Sequence, residues 1–326
     1  MRATAGGPSP VPASDAGVDG VCIVDKAAGP TSHDVVAQIR RRLGTRRVGH
    51  AGTLDPDATG VLVVGVGRAT RLLRFLAPLP KSYEAEVVLG VETSTLDASG
   101  TTTAVHEMGP ITLDQATAAA RGLVGDLDQV PPMVSAVKVG GRRLHQLARE
   151  GVEVERQARP VTVHRFDVIE LLDPPAVAIT TAGGARTEEG AVLRVEVDCS
   201  SGTYVRVLAA DLGRALGGGA HLRQLRRTAI GPFTAARARS VDRLEVLPPL
   251  DAVGHLDQVA IGDEVAALVA TGTRLQRAGE TVAFAGEGPW AVRSERTGEL
   301  LAVYESAGER ASPAVVLVQP DVVRQR

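Results

Sequence analysis

Residues 49–60, GHAGTLDPDATG, constrain this chain more than any other stretch. They place the carboxylate of Asp55, just before Pro56, in a glycine-rich loop, with His50 five residues before it. Pro56 restricts Asp55 to an extended backbone. Gly49, Gly52 and Gly60 let the chain turn tightly or approach a ligand closely. The apolar run Val61-Leu62-Val63-Val64 follows at once and reads as a buried strand. A carboxylate on a shaped loop at the mouth of a strand suits a nucleophile. It also suits an Asx-type turn, which Asp before Pro often makes. The loop's composition leaves both readings open.

The flanking periodicity alternates between strand and helix. Val21 to Asp25 reads as a short strand. Thr31 or Ser32 can cap a helix with Val35, Val36, Ile39 and Leu43 on one face, ended by Gly44. Ala69, Leu72, Leu73 and Leu76 recur at helical spacing. Between Ser82 and Leu89 the residues Tyr83, Ala85, Val87 and Leu89 share one face of a strand. Thr112 and Gln115 form a capping box for a helix to about Leu123. Gly140-Gly141 signals a hairpin between Val137 and Arg143. Val161 to Leu171 and Val192 to Asp198 read as strands, with residues 173–190 inserted between them and a polar loop at 183–190. Thr203 to Leu216 reads as a helix ended by three glycines. A short helix from Gly262 to Ala270 and several strands follow the break at Pro248-Pro249. The pattern is mixed α/β (α+β), without the βαβ regularity of a doubly wound sheet.

A chain of 326 residues has room for two domains. The expected division is a disordered tail at 1–20, a catalytic domain at 21–250 and a smaller domain at 251–326. Few contacts are expected across residue 250, so truncation there is expected to leave a folded, active protein. No apolar run reaches the ~18–20 residues of a membrane span. The tail lacks the charged and apolar regions of a signal peptide. Cys22 and Cys199 are the two cysteines, both in strand-like surroundings, which fits a reduced compartment; the cytoplasm is expected. Net charge is −2. Residues 251–326 carry seven Lys/Arg against eleven Asp/Glu. Basic clusters fall instead at Arg40-Arg41-Arg42, Arg46-Arg47, Arg142-Arg143 and Arg226-Arg227, as local phosphate binding or solvated surface would require. No Walker loop, zinc-ligand cluster or dinucleotide fingerprint is present, so no metal or cofactor is expected.

Extended to residue 72, the first segment reads GHAGTLDPDATGVLVVGVGRATRL. It resembles the catalytic block of the TruB family, the bacterial tRNA pseudouridine synthases that modify the T-loop uridine (tRNA position 55). Three further blocks resemble the family in its order: residues 25–36 (DKAAGPTSHDVV), 129–151 (QVPPMVSAVKVGGRRLHQLAREG) and 199–227 (CSSGTYVRVLAADLGRALGGGAHLRQLRR). The resemblance implies the pseudouridine synthase fold, a bent, largely antiparallel sheet with a cleft across its middle. It also implies a small carboxy-terminal RNA-binding domain of the PUA type. The implied reaction breaks the N-glycosidic bond of a uridine, turns the uracil and rejoins it through C5. Atoms are conserved, and no cofactor is required.

By the same resemblance Asp55 is the nucleophile, with attack at ribose C1′, at the base or through a glycal left open. Arg206 pairs with Asp55. Tyr83 stacks on the target uracil and is a proton-transfer candidate. Tyr204 hydrogen-bonds near the nucleophile, and Leu225 meets the uracil edge. His50 fills the space left by the flipped nucleotide, since a stacked base must be extruded to be reached. Lys26 and Asp97 take supporting places at the substrate. Phe, Tyr and Trp make up 2% of the chain, and only three residues are Tyr. Tyr83 and Tyr204 at these points suit base stacking, or half-buried strand positions. Three positions depart from the family: Ala27 where Pro is usual, and Val134 and His145 where aromatics are common. The expected partner is tRNA, for a monomer with no obligate protein partner. Two other readings are a non-catalytic tRNA-binding and folding protein, and a guide-RNA-dependent synthase. The acidic carboxy-terminal region argues against the second of these.

Overall fold

The computed structural model describes residues 18–135, 138–139, 141–143, 150, 152, 154–172, 177–181, 184–188, 191–279 and 282–318. Its largest element is a nine-stranded sheet. From one edge to the other the strands run Gly20–Lys26, Thr59–Val66, Ala220–Ile230, Lys81–Leu89, Val192–Cys199, Arg159–Leu172 and Gly125–Gln129. Val48–His50 adds to the second of these and Phe233–Thr234 to the third. Every pairing is antiparallel except that of Thr59–Val66 with Ala220–Ile230. That parallel pair is joined through two positions, Arg226 opposite Thr59 and Arg227 opposite Gly60. The sheet is therefore open at its centre, and the functional cleft lies there.

Local signals act as their chemistry demands. Thr31 caps the Ser32–Leu43 helix in a full capping box with Asp34, and Gly44 ends it at φ 62°. Thr112 and Gln115 do the same for Leu113–Arg121. Residues 67–76 form a 3₁₀ turn, Gly67–Leu72, and one α-turn, Leu73–Leu76, rather than a continuous helix. The helix read from Thr203 starts two residues later, at Val205, with Tyr204 as its N-cap. The Lys138–Val139 and Arg142–Arg143 pair realises the expected hairpin. The insertion is not all loop, because Val177–Thr181 pairs with Gly184–Glu188.

Apolar clusters pack the helices onto the sheet. One joins Val87, Leu193, Val195, Phe166 and Leu222 to the helices Leu113–Arg121 and Val205–Ala215 through Ala116, Ala120, Leu208 and Leu212. Another packs the Ser32–Leu43 helix through Val35, Val36 and Ile39 onto Cys22, Leu62 and Val64. Both cysteines are buried free thiols. Burial pushes the Cys22 thiol up to about 12 and Cys199 to about 11, so neither is a reactive thiolate.

Residues 257–316 build a second, five-stranded sheet in the order Asp257–Ile261, Trp290–Ser294, Leu300–Ala307, Arg310–Val316, Leu275–Gln276. Its own core holds Trp290, Tyr304 and Phe284. The expectation of few contacts across residue 250 is not met. Ala291, Leu300, Val303, Val315 and Leu317 share one apolar cluster with Val21, Ile23, Phe75, Leu76 and Phe233. Arg68 donates to the Leu317 carbonyl, Arg71 to Val316 O at 2.8 Å, and Arg74 pairs with Glu305 at 2.9 Å. Pro248-Pro249 does mark a turn of direction, opening the short helix Pro249–Ala252, but Ala252 and Val253 are buried in the shared cluster. Proline punctuation reports a change of chain direction and not how the flanking units pack.

Candidate active site

A cleft of about 320 Å³ opens at the sheet centre, lined by Asp55, Lys81, Tyr83, Tyr204, Arg206, Leu225 and Arg227 among others. These come from four separate parts of the chain. Residues 52–55 form one wall and the N-terminus of the Val205–Ala215 helix the other. Strands Lys81–Leu89 and Ala220–Ile230 make the floor.

The Asp55 loop is held in place by buried polar groups. Ser32 Oγ accepts from Leu54 N at 2.9 Å and donates to Leu54 O at 3.2 Å. Lys26, 1% exposed, donates to the carbonyls of Ala27, Pro30 and Pro56 at 2.9, 2.8 and 2.7 Å. Arg227, also 1% exposed, donates to Gly52 O, Thr53 O and Val61 O at 3.0, 3.3 and 2.8 Å, and so ties the loop's entry to its exit. Gly60 is required beside it. At φ 102°, a Cβ there would sit 2.2 Å from the Arg227 carbonyl oxygen.

Asp55 Oδ2 lies 3.1 Å from Arg206 Nε, the Asp55 side chain being 43% exposed and Arg206 4%. Arg206 also reaches Asp97 Oδ2 at 3.2 Å, Thr95 O at 2.9 Å and Val134 O at 2.9 Å. Asp97 is held in turn by Thr95 Oγ1 at 2.6 Å and Ser99 Oγ at 2.5 Å. Burial raises the Asp55 pKa; the Arg206 charge opposes this, and the Asp97 carboxylate adds to the rise. Tyr204 is fixed through its backbone. Its N–H donates to Gln129 Oε1 at 2.7 Å, and Gln129 Nε2 donates to its carbonyl at 3.2 Å. Lys81, 5% exposed, donates to Ala77 O and Leu79 O, each at 2.6 Å. Burial, with Arg227 close by, lowers its pKa to about 8.

The structure thus brings Asp55, Tyr83, Tyr204, Arg206 and Leu225 to one cleft. Lys26 and Asp97 do not line it; Asp97 holds Arg206, which does, and Lys26 anchors Pro56, the residue after Asp55. His50 is not among the lining residues either. It lies half-buried behind the loop with its ring edge-on to His33, centroids 5.5 Å apart. Burial, with His33 and Arg227 near, lowers its pKa. Two of the family departures leave the site intact, because Ala27 and Val134 serve it through their carbonyls. His145 lies outside the described residues. Lys81, Gln129, Ser32 and the clamping role of Arg227 were not foreseen. Arg227 stands out in the sequence only as one of a basic pair, although β-alternation puts it on the same face as Leu225.

A largely antiparallel sheet opened at its middle by an aspartate loop defines the class, the pseudouridine synthase fold. The solved structure of a Cbf5-Nop10-Gar1 complex matches with a TM-score of 0.67 at 26% identity, over 93% of this chain and 86% of that one. An H/ACA RNP bound to a substrate RNA containing 2'-deoxyuridine matches at 0.66 and 25%, over 93% and 86%. Residues 40–205 match the TruB family pseudouridylate synthase (N terminal domain), and residues 206–248 the tRNA pseudouridylate synthase B C-terminal domain. A tRNA pseudouridine synthase B of Rhodococcus jostii (strain RHA1) is 45% identical over 94% of this chain and 95% of its own length. One from Thermobifida fusca (strain YX) is 46% identical over 91% and 98%. The chain belongs to the TruB family of pseudouridylate synthases.

Proposed function

We propose that this protein isomerises the T-loop uridine of tRNA to pseudouridine, with Asp55 as nucleophile. The observation that carries the reading is the Asp55–Arg206 pair at 3.1 Å, in one cleft with Tyr83. Arg206 favours the carboxylate form that nucleophilic attack requires. Tyr83 and Leu225 offer the faces a flipped uracil would meet, and Tyr204 borders the nucleophile. Relatives at 45–46% identity carry the name tRNA pseudouridine synthase B, whereas the likeness to the H/ACA proteins stands at 25–26%. A free-standing enzyme acting on tRNA in the cytoplasm is therefore favoured over a guide-RNA-dependent one, with the second sheet as a PUA-type RNA-binding unit. A protein that only gripped tRNA would have no use for a cleft carboxylate paired with an almost fully buried arginine.

The test is to incubate the protein with an unmodified tRNA transcript and map pseudouridine at nucleotide resolution. One new pseudouridine in the T-loop is expected, formed equally well after exhaustive chelation of metal. Modification elsewhere, or none, would refute the assignment. So would activity lost to chelation, restored by one divalent ion and not explained by tRNA unfolding.

The pH dependence follows from the Asp55 environment. The attacking carboxylate must be ionised, so activity falls as pH drops through the Asp55 pKa, which lies above the ordinary 3.8. Arg206 lowers that value, so Arg206→Gln is expected to move the acid limb of the single-turnover rate toward neutral pH. An unmoved limb, in a folded variant with measurable rate, would contradict the pairing.

A further inference from the structure

Lysine is rare in this chain. Of its 36 Lys and Arg residues, three are Lys: Lys26, Lys81 and Lys138. Lys81 is 5% exposed and still lines the cleft. It lies two residues before Tyr83 on the strand Lys81–Leu89, so both side chains leave the same face of the sheet. A Cβ on Gly52 would stand 3.7 Å from Arg227 Nη1 and 4.0 Å from Lys81 Cε, so the two cations flank one glycine of the Asp55 loop. Three buried cations thus meet at the cleft, and they are not balanced alike. Arg206 faces the carboxylates of Asp55 and Asp97. Lys81 and Arg227 have no carboxylate partner among the described residues. Lys81 donates to the carbonyls of Ala77 and Leu79, and Arg227 to those of Gly52, Thr53 and Val61. Carbonyls satisfy N–H donors but leave the net charge standing. Holding an ammonium out of water without a counter-charge is unfavourable, and burial accordingly brings the Lys81 pKa down to about 8.

We propose that Lys81 supplies an uncompensated positive charge on the cleft floor that stabilises the uracil anion formed when the target base is detached. The assignment rests on the isomerase reading. When the C1′–N1 bond breaks, its electron pair leaves with the uracil, which then carries one negative charge. That charge is consumed when C5 bonds to C1′, and transfer of the C5 proton to N1 completes pseudouridine. An ammonium pinned by two carbonyls meets the passing charge without reorganisation, and a cleft shielded from water strengthens the attraction. Arg206 is less suited to this work, because two carboxylates already balance it.

The test uses the full chain and an unmodified tRNA transcript. Lys81→Met removes the charge and keeps an unbranched side chain. It is expected to slow single turnover on the order of 100-fold, the loss typical of one group that stabilises transition-state charge. tRNA affinity should hold within about threefold, because phosphate contacts dominate binding. Lys81→Arg carries a charge that pH cannot remove, and should keep most of the rate. A pH profile separates charge from scaffolding. The parent rate is expected to fall as pH rises through the Lys81 pKa, about 8, because the ammonium is then lost. The groups facing Lys81 do not titrate there: Arg227 stays charged, burial raises Tyr83 above its ordinary 10.0, and Cys199 stands at about 11. In Lys81→Arg the alkaline limb should leave that range. A parental rate in folded Lys81→Met, or an unmoved limb in Lys81→Arg, would overturn the proposal and leave the isomerase reading standing. If neither variant folds, the parent decides. The carbon-13 ε resonance of Lys81, one of three from lysine, reports its titration directly. A rate that follows this titration supports the role, and a rate that persists through it overturns the role. A parent protein that modifies no uridine refutes the isomerase reading, and the Lys81 assignment with it, before any variant is compared.

Discussion

Asp55→Asn is expected to abolish isomerisation while leaving tRNA affinity within about tenfold, ~1.4 kcal/mol. The substitution keeps size and shape and removes the charge. It leaves the loop anchors untouched, since Ser32 holds Leu54, Lys26 holds Pro56, and Arg227 holds Gly52, Thr53 and Val61, all through backbone groups. Arg206 loses its carboxylate at 3.1 Å but keeps Asp97, Thr95 O and Val134 O. The variant should therefore fold and bind. The nucleophile alone is gone, and an amide cannot replace it. Single-turnover mapping on a tRNA transcript, paired with a binding titration, makes the measurement. Substantial turnover by a preparation free of deamidated Asp55 would remove the nucleophile assignment.

Truncation after residue 250 is expected to unfold the protein rather than to weaken tRNA binding alone. The removed segment supplies Ala291, Leu300, Val303, Val315 and Leu317 to the cluster that also buries Val21, Ile23, Phe75, Leu76 and Phe233. Fully burying such a side chain stabilises by ~1.5–3 kcal/mol. Exposing even half of those five would cost on the order of 5 kcal/mol, against a typical domain stability of ~5–15 kcal/mol. The carbonyl partners of Arg68 and Arg71 and the Glu305 partner of Arg74 go too. Val21 and Ile23 lie on the Gly20–Lys26 strand, whose partner Thr59–Val66 directly follows the Asp55 loop, so the damage reaches the active site. Circular dichroism and thermal melts of the 1–250 fragment provide the check. A cooperative melt near that of the parent, with T-loop activity retained, would show that the shared cluster is dispensable.

Legibility in the sequence followed the range of the interactions. The Thr112 capping box, the Gly44 stop and the alternation of Tyr83, Ala85, Val87 and Leu89 involve neighbours a few residues apart and form as read, and of the two caps open to the first helix Thr31 is the one used. The helical spacing of Ala69, Leu72, Leu73 and Leu76 suits either helix type, and the structure divides it between the 3₁₀ turn Gly67–Leu72 and the α-turn Leu73–Leu76. The insertion at 173–190 hid a hairpin, since its two strands are five residues each and only Val177 and Ile179 mark an apolar alternation.

The sequence by itself pointed to the Asp55 carboxylate and its loop, through Pro56, the flanking glycines and the family blocks around them. It also determined which residues meet at the cleft, to the extent that the Asp55, Tyr83, Tyr204, Arg206 and Leu225 motifs carry over. Tertiary structure alone decided how those groups are held. Lys26 and Asp97 act from behind the cleft, Gln129 secures Tyr204 from 75 residues away, and Arg227 reaches loop carbonyls 166 to 175 residues distant. Packing likewise decided that the second sheet joins the first core. The physical reason is the same in each case. A buried cation or amide must satisfy its donors wherever folded backbone carbonyls happen to converge, and an apolar face must find cover wherever another lies. Neither requirement leaves a periodic mark along the chain.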